Sequence, residues 1–439
     1  MLTAFTRAFR TPDLRKKLLF TLGIIALFRL GSVLPTPGVH TENIRTCLAQ
    51  AQAGDSGNLY GMVQLFSGGA LLKLSVFALG IMPYITASII LQLLVVVIPR
   101  LEALKKEGQA GQTKITQYTR YLTIGLGILQ STAFIALARS GQLFPSCNQQ
   151  ILLDPDNVFS IVTMVIIMTA GTSVIMWLGE LVTDRGVGNG MSILIFTQVI
   201  AVFPSELLNI YRVNPFTFAV VMVVGIFMIA AVVFVEQAQR RIPVQYAKRM
   251  VGRRMYGGTS TYIPLKVNQA GIIPVIFASS LLYLPQLLVS LFANTTTDSS
   301  ISPVVEWISR NLVTGDTPVY MGTFFLLIVF FTYFYVSITF NPAEVADNMK
   351  KYGGFIPGIR PGRPTAEYLN FVLTRLTAPG ALYLGLISMV PIIALAISGA
   401  SQNFPFGGTS ILIMVGVGLD TVKQIESQLQ QRNYEGFLR

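Results

Sequence analysis

The sequence is poor in charge and in the side chains that usually carry catalysis. Only 12% of its 439 residues are charged, against about 25% in soluble proteins, while 52% are hydrophobic. It has one histidine, His40, and two cysteines, Cys47 and Cys147, without the paired-cysteine spacing of a metal site. These shortages exclude histidine general-base chemistry within the apolar segments. They predict no catalytic residue, no metal site and no cofactor.

Apolar blocks recur from one end of the chain to the other, which indicates an all-α, multi-pass membrane protein. About 20 apolar residues cross a bilayer as a helix, and on this basis the sequence predicts ten spans. Their bounds are 18–37, 75–98, 118–139, 158–180, 187–204, 215–236, 270–292, 318–340, 377–397 and 408–425.

Lysine and arginine are distributed unevenly between the predicted loops. One side of the membrane carries 26 of them and the other carries five, while Arg29 lies inside the first span. Positive residues accumulate in cytoplasmic loops, so both termini are predicted to be cytoplasmic. Ten spans can form two inverted halves of five, with a pathway at their interface.

The spans divide the chain into membrane segments and cytoplasmic segments. These are an N-terminal segment (1–17), an N-terminal half (18–204), a sixth-span region (205–236), a basic loop (237–269), the seventh and eighth spans (270–340), a second loop (341–376), the last two spans (377–425) and a tail (426–439).

Both of these cytoplasmic loops are longer and more basic than simple connectors. In the first, "IPVQYA" and "STYIPLKV" predict a β-hairpin with a basic tip. In the second, Asn341 and Pro342 predict the start of a short helix and Gly353 its end, with Glu344 at the capping-box position. "FIPGIRPGRP" then predicts a stiff turn that displays Arg360. The charges either fix topology alone or also bind an acidic partner, and their number favours the second interpretation.

Ionisable residues are rare within the predicted spans, and Arg29 is the one clear case. A charged group at the bilayer centre costs about 2.5–3.5 kcal/mol, so ion-coupled carriers keep such groups only where they serve transport. A secondary transporter with two inverted five-span halves is one alternative, although it would need more such groups. A membrane-embedded hydrolase is another, and it would need a catalytic pair within the spans.

Seven motifs along the chain together resemble the SecY family in its bacterial or plastid form. They are "FSGGALLKLSVFALGIMPYITASII", "KKEGQAGQTKITQYTRY", "MWLGELVTDRGVGNGMSI", "RRIPVQYAKRMVGRRMYGG", "PLKVNQAGIIPVIFASS", "FNPAEVADN" and "FIPGIRPG". The resemblance implies ten helices in two halves around an hourglass pore. It also implies a channel that passes unfolded secretory proteins across the membrane and releases transmembrane segments sideways into lipid.

The resemblance further implies partners and a location. The partners would be SecE, SecG, the SecA ATPase, the ribosome (its RNA and exit-site proteins), the signal sequences of substrates and the lipid bilayer. Energy would come from SecA or translation, because the chain itself would hydrolyse nothing. The location would be the plasma membrane, with the thylakoid membrane as the alternative.

The resemblance assigns an apolar ring to the pore waist, formed by Ile81, Ile85, Met191, Ile195, Ile276 and Ile413. Ile81 and Ile85 are four residues apart and share one helix face. An apolar constriction blocks ions by dewetting. Met191 replaces the family's usual isoleucine, but it is flexible and similar in size. Ordinary helix packing is the alternative role for each residue.

A lateral gate is implied between the second and seventh spans, with Thr86 and Gln92 on one wall and Asn268, Ser279 and Leu284 on the other. We expect the amides of Gln92 and Asn268 to face each other and to hold the seam weakly, since such bonds contribute about 0.6–2 kcal/mol in membranes. Anchoring at the membrane interface is the alternative role for both amides.

The basic loops are implied to be the docking surface for SecA and the ribosome, through charges that suit RNA phosphates and acidic protein faces. The residues are Arg240, Arg241, Lys248, Arg249, Arg253, Arg254 and Arg360.

The segment from about 59 to 74 is expected to fold back into the pore funnel as a short plug helix, because a re-entrant segment can lie in a water-filled cavity. Its central residues are Phe66, Ser67, Gly68, Gly69, Ala70 and Leu71. The alternative is a helix at the membrane interface, with Lys73 reaching out to the headgroups.

The two cysteines both fall in predicted non-cytoplasmic loops, where disulfides persist. A bond between Cys47 and Cys147 is open, but sequence cannot set their separation. Two unpaired loop cysteines are the expectation.

Overall fold

The structure is a computed structural model. It describes residues 9, 11–53, 69–139, 141, 147, 149–155, 157–213, 215–246, 249–251, 254–256, 260–292, 303, 307–308, 311–312, 317–398 and 408–437. The helices are α1 (Pro12–Val33), α2 (Thr41–Ala53), α3 (Met82–Val97), α4 (Pro99–Lys106), α5 (Gln109–Arg139), α6 (Val158–Arg185), α7 (Gly190–Val213), α8 (Pro215–Gln237), α9 (Ile273–Phe292), α10 (Pro318–Thr339), α11 (Pro342–Lys351), α12 (Arg363–Ser398) and α13 (Gly408–Phe437). The strands are β1 (Gln239–Tyr246), β2 (Arg249–Val251), β3 (Arg254–Tyr256), β4 (Ser260–Lys266) and β5 (Gly354–Phe355).

Each of the ten predicted spans coincides with one helix: α1, α3, α5 to α10, α12 and α13. Within the described residues, six helices are long and apolar enough to cross a membrane. A seventh is added if α3 and α4, which meet at a bend of 98°, are counted as one span. The expected multi-pass helical architecture is confirmed, and these findings are consistent with ten spans.

The ten helices form two groups of five. In the first group, α1 packs on α6 and α7, while α3, α5 and α6 pack side by side. In the second group, α10 packs on α9 and α12, and α13 packs on α8 and α12. The groups meet on one side where α7 contacts α8 and α13, and on the other where α9 contacts α3 and α5. The helix contacts therefore divide the ten helices into two halves with a boundary between them.

The start of the second span and the form of the plug region differ from the prediction. The helix α3 begins at Met82 and not at residue 75, and residues 69–80 form turns and a short β-bridge. Gly69, Leu74 and Gly80 have positive φ angles of 81°, 45° and 58°, which interrupt a regular helix. The described part of the predicted plug helix, residues 69–74, is thus not helical. Residues Phe66, Ser67 and Gly68 lie outside the described residues.

The predicted hairpin is present, and the second basic loop joins it. Strand β1 pairs antiparallel with β4 from Gln239–Lys266 to Gln245–Ser260. On its other edge β1 pairs with β5, which comes from the second loop, so the sheet order is β4-β1-β5. The two loops, 110 residues apart along the chain at Gln245 and Phe355, therefore form one folded unit.

The short helix of the second loop begins as the sequence predicts. The Asn341 side chain accepts hydrogen bonds from the backbone N–H groups of Ala343 and Glu344 at 3.2 and 3.5 Å, and the chain leaves the helix through Gly353 at φ 70°. The ninth span differs, because α12 begins at Arg363 and not at residue 377. Pro364 lies in the first turn of α12, where the missing N–H of proline breaks no helical hydrogen bond. The proline therefore starts the helix and is not part of the preceding turn.

Candidate functional site

Most of the predicted pore-ring residues lie in two adjoining apolar clusters, one within the first group of helices and one that joins this group to α13. Ile81 is buried in one cluster with Phe28, Ile175 and Leu194, and Ile85, Met191 and Ile195 pack against it. Ile195 also packs against the second cluster, which contains Ile413 of α13. Ile276 on α9 is buried too, but neither cluster of described residues includes it. The structure therefore brings five of the six residues together.

The packing of Met191 depends on a glycine in the neighbouring helix. A Cβ atom at Gly179 of α6 would lie 2.5 Å from the Met191 sulfur, so the Met191 side chain fills the space that this glycine leaves open. The thioether is unbranched and flexible. The contact gives a wall that is apolar and can change shape.

The segment before α3 is fixed to the start of the loop after α1 by backbone pairing. The carbonyl oxygen of Leu74 accepts from the Thr36 N–H at 3.0 Å and from the Thr36 hydroxyl at 2.7 Å. The Val76 N–H donates to the Leu34 carbonyl at 2.9 Å, and Ser75 forms a β-bridge with Pro35. These bonds hold the base of the predicted plug segment while Lys73 remains exposed.

Two further glycines let this segment enter the helix layer. A Cβ at Gly171 of α6 would overlap the carbonyl oxygen of Val76, and a Cβ at Gly31 of α1 would overlap the Phe77 ring. The ring of Phe77 stacks on that of Phe28, with centroids 6.0 Å apart. The segment is therefore packed directly against the cluster around Ile81.

Cys47 and Cys147 form a disulfide bond, with their Cα atoms 5.3 Å apart. The expectation of two unpaired cysteines was wrong. Cys47 is fully buried in a cluster with Leu71, Leu72 and Leu74, and Cys147 packs against the same cluster. Tertiary folding sets this proximity across 100 residues of sequence, and no local pattern could have shown it.

The helices expected to form the lateral gate, α3 and α9, are in contact. The hydroxyls of Thr86 and Ser279 donate within their own helices, to the carbonyls of Met82 and Ile276 at 3.0 Å each. Leu284 lies on α9. The hydroxyls of these two predicted gate residues thus donate within their own helices and not across the contact between α3 and α9.

The expected amide pair across the gate is not formed. Gln92 is exposed, while Asn268 is only 2% exposed and donates from Nδ2 to a carboxylate oxygen of Glu236 and to the Gly271 carbonyl. Asn268 lies just before α9 and Glu236 lies near the end of α8. Their hydrogen bond therefore joins the two chain segments between which the hairpin begins and ends. The pairing with Gln92 was wrong because a carboxylate acceptor is closer and better.

The base of the hairpin is a junction of several helices. The Val267 N–H donates to the Ala238 carbonyl at 3.0 Å, and the Lys266 ammonium pairs with Asp420 of α13 at 3.4 Å. A Cβ at Gly380 of α12 would lie 2.5 Å from the Val267 carbonyl oxygen. The sheet is therefore attached to α8, α9, α12 and α13 at one place.

The predicted docking residues lie on this sheet and beside it. Arg240 and Arg241 are exposed on β1, and the Arg241 guanidinium lies 4.9 Å above the centre of the Tyr262 ring. Arg249 and Arg254 lie on the paired strands β2 and β3, while Lys248 and Arg253 fall outside the described residues.

Arg360 is exposed on the turn between β5 and α12. Gly358 and Gly362 flank it at φ 83° and 108°, and its carbonyl accepts from the Thr365 hydroxyl at 2.9 Å. Beneath the turn, Ile356 packs in a core with Ile242, Val244 and Leu265 of the sheet. Arg360 is therefore displayed on the same folded unit as Arg240 and Arg241.

Comparison with known proteins agrees with this architecture. The SecY family model matches residues 75–422. The protein translocase subunit SecY of Streptomyces galbus is 67% identical over the full length of both chains, and that of Mycobacterium tuberculosis strain H37Rv is 59% identical, also over the full length. A solved structure of a protein-conducting channel has a TM-score of 0.62 at 19% identity, covering 94% of this chain and 91% of the other.

The chain belongs to the SecY family. Its relatives of high identity are protein translocase subunits, and its fold is that of a protein-conducting channel. In this chain, apolar side chains of α1, α6 and α7 meet those of α13 where the two five-helix halves join.

Three features of this SecY-family chain escaped sequence reasoning. The strand β5 is only two residues long, too short for an alternating pattern. The Arg120–Glu180 pair joins α5 to α6 through two hydrogen bonds of 2.9 and 2.7 Å. Opposite charges 60 residues apart give no local signal in the sequence. The disulfide is the third.

Proposed function

We propose that this chain is the channel subunit that conducts unfolded secretory proteins across the plasma membrane and releases transmembrane segments sideways into lipid. Its full-length relatives are protein translocase subunits, which supports the first part. The observation that carries the proposal is the pair of apolar clusters joining Ile81, Ile85, Met191 and Ile195 to Ile413 at the boundary between the halves.

An apolar boundary of this kind suits a polypeptide better than an ion. Dewetting of a narrow apolar constriction opposes ion passage, whereas an extended chain displaces side chains that are held only by packing. The contact of α3 with α9 on one side of the boundary supports sideways release at that seam. The hydroxyls of Thr86 and Ser279 are bonded within their own helices, so opening the seam breaks neither of these bonds.

The energy comes from outside the chain, from the SecA ATPase or the translating ribosome. The three-stranded sheet and the Arg360 turn are the proposed docking surface, formed by the segments 237–269 and 341–376. Exposed guanidinium groups on a stiff support bind phosphate and carboxylate oxygens in a fixed geometry. A related channel has been solved in a canine ribosome complex, which supports the ribosome as one partner.

SecE and SecG are the proposed partner subunits in the membrane. The termini and both basic loops lie on the cytoplasmic side in this proposal, since 26 of the 32 lysines and arginines fall there. The cysteines then lie on the opposite side, where a disulfide persists. Their bond supports the assigned orientation.

Reconstitution tests the proposal. The chain, purified with SecE and SecG, is placed in vesicles with SecA, ATP and a secretory precursor. We expect the precursor to become protected from added protease, and to become digestible again when detergent opens the vesicles. A precursor without its signal sequence is the matched control and remains digestible. Complete digestion of the intact precursor, in vesicles where the chain is correctly inserted, contradicts the proposal.

A further inference from the structure

An external unit of two segments covers the chain just before α3. The unit, called the clamp, consists of residues 38–53, which include α2, and residues 147 and 149–153, with the Cys47–Cys147 disulfide between them. Val39 forms a β-bridge with Leu152. The clamp therefore ties the loop after the first span to the loop after the third.

Hydrogen bonds hold the two segments of the clamp in one register. The His40 N–H donates to the Ile151 carbonyl at 2.8 Å and the Leu153 N–H to the Gly38 carbonyl at 3.0 Å. Two side-chain bonds are added at 2.7 Å, from Asn43 Nδ2 to the Gln150 carbonyl and from the Thr46 hydroxyl to Gln149 Oε1. Both side-chain bonds are exposed, so water competes for their partners and they hold the clamp weakly.

The clamp packs on the segment that leads into the second span. Cys47, Val39 and Ile44 share one buried cluster with Leu71, Leu72 and Leu74, and the same cluster continues to Ala78 and Leu79. Two residues beyond Leu79 is Ile81, which is buried among Phe28, Phe77 and Leu194. Movement of the clamp is thus transmitted by direct packing to the start of α3.

The disulfide is the one covalent link of this unit. The contacts of residues 149–153 with residues 38–47 close a long stretch of chain, and closing it again after each opening costs conformational entropy. A covalent bond between Cys47 and Cys147 limits how far the segments can separate, so the weak exposed bonds form again at once. Without the disulfide, the two segments of the clamp separate more often, and residues 69–79 are then no longer packed beneath them.

We propose that Cys47 and Cys147 are positioning residues of the resting channel, whose disulfide locks the clamp over residues 69–79 and so holds the entrance of α3 in the closed arrangement. This inference rests on the proposed channel function. It assigns the two cysteines a role in the seal, in addition to any effect on folding.

The state of the thiols is measured first. Titration of the denatured, unreduced protein should find no free thiol, and titration after reduction should find two. Two free thiols before reduction overturn the proposal.

Channel recordings then test the role. The chain with its partner subunits is placed in planar bilayers, and a membrane-impermeant phosphine is added on the non-cytoplasmic side, where it converts the disulfide into two thiols. We expect resting ion conductance to rise about fivefold or more, the lower end of the usual coupling between sites. Reoxidation should restore the low conductance, which damage to the fold would not permit.

The double variant Cys47→Ser/Cys147→Ser is the matched control. We expect it to be leaky from the start, to ignore the phosphine and to accept precursors with weakened signal sequences that the oxidised channel rejects. Translocation of normal precursors should continue in both forms. If the reduced channel translocates normally and keeps both its low conductance and its rejection of weak signals, the inference is overturned while the proposed function stands. If the oxidised channel translocates nothing, the proposed function fails and takes the inference with it.

Discussion

The hydrogen bond of Asn268 to Glu236 places this residue at the base of the hairpin. Its amide donates to Glu236 and to Gly271 at the base of the hairpin, and Glu236 is 9% exposed. A buried donor that loses its partner costs about 1–3 kcal/mol. The pair is therefore a local determinant of how the sheet is attached to α8 and α9.

Replacement of Glu236 by leucine removes this acceptor while keeping the side chain's approximate size. We expect Glu236→Leu to lower the free energy of unfolding by about 1–3 kcal/mol, because the Asn268 amide is left without the carboxylate. The control Glu236→Gln keeps an oxygen at the same distance along the side chain and should lose less than half as much. Thermal unfolding of the purified complex in detergent measures both, and equal losses would show that the hydrogen bond is not the cause.

Arg360 carries the second prediction at this scale. It is exposed on a turn fixed by Gly358, Gly362 and the Thr365 hydroxyl, so a charge reversal changes the docking surface and leaves the core untouched. We expect Arg360→Glu to abolish SecA-driven protection of a precursor in vesicles, with normal insertion and normal thermal unfolding.

The neighbouring arginine supplies the control for charge alone. Arg363 is highly exposed and already pairs with Glu367 at 3.0 Å. Arg363→Glu makes the same change in net charge three residues away, and we expect it to have a much smaller effect on export. Normal export kinetics with Arg360→Glu, or equal loss with both variants, would show that Arg360 has no special role.

At the scale of elements, the sequence predicted the helices and strands whose formation depends on residues close together in the chain. The hairpin strands β1 and β4, the capped start of α11 and one helix for each apolar block all appear. Long-range contacts decided the rest. Strand β5 exists because the edge of β1 is available to it. Helix α3 starts late because Leu74, Ser75 and Val76 pair with the loop after α1 instead of forming a turn of helix.

The plug prediction was made for an element that is only partly described. Its base, Leu71, Leu72 and Leu74, is buried beneath α2, whereas Phe66, Ser67 and Gly68 lie outside the described residues. Elements that must leave their site during function belong to the least stable parts of a protein. Residues 69–74 lack helical structure, but Leu71, Leu72 and Leu74 are buried, so the departure of this segment during function stays a prediction.

Deletion of Phe66 to Leu71 tests the plug. We expect export to continue, resting conductance in planar bilayers to rise, and precursors with weakened signal sequences to be accepted, because the closed state loses contacts and the open population grows. Deletion of six residues from the tail, 434–439, controls for chain shortening. Unchanged conductance together with unchanged rejection of weak signals would show that the segment is not a plug.

For the whole molecule, the arrangement of two halves matters more than any single contact. The halves meet through α7 with α8 and α13 on one side and through α9 with α3 and α5 on the other. The sheet is attached to the second half and the clamp to the first, and the two apolar clusters lead from Ile81 in the first half to Ile413 in the second. Under the proposed function, we expect a partner bound to the sheet to act on the second half first.

The most direct test asks whether a moving polypeptide touches these clusters. In the Cys47→Ser/Cys147→Ser background, a single cysteine is placed at Ile85, at Ile413 or at the exposed Phe227 of α8. A precursor with one cysteine is stalled in the channel, and an oxidant is added. We predict disulfide cross-links at positions 85 and 413 and none at 227. Cross-links at 227 alone, with neither cluster position reacting in a channel that still translocates, would contradict the assignment of the path.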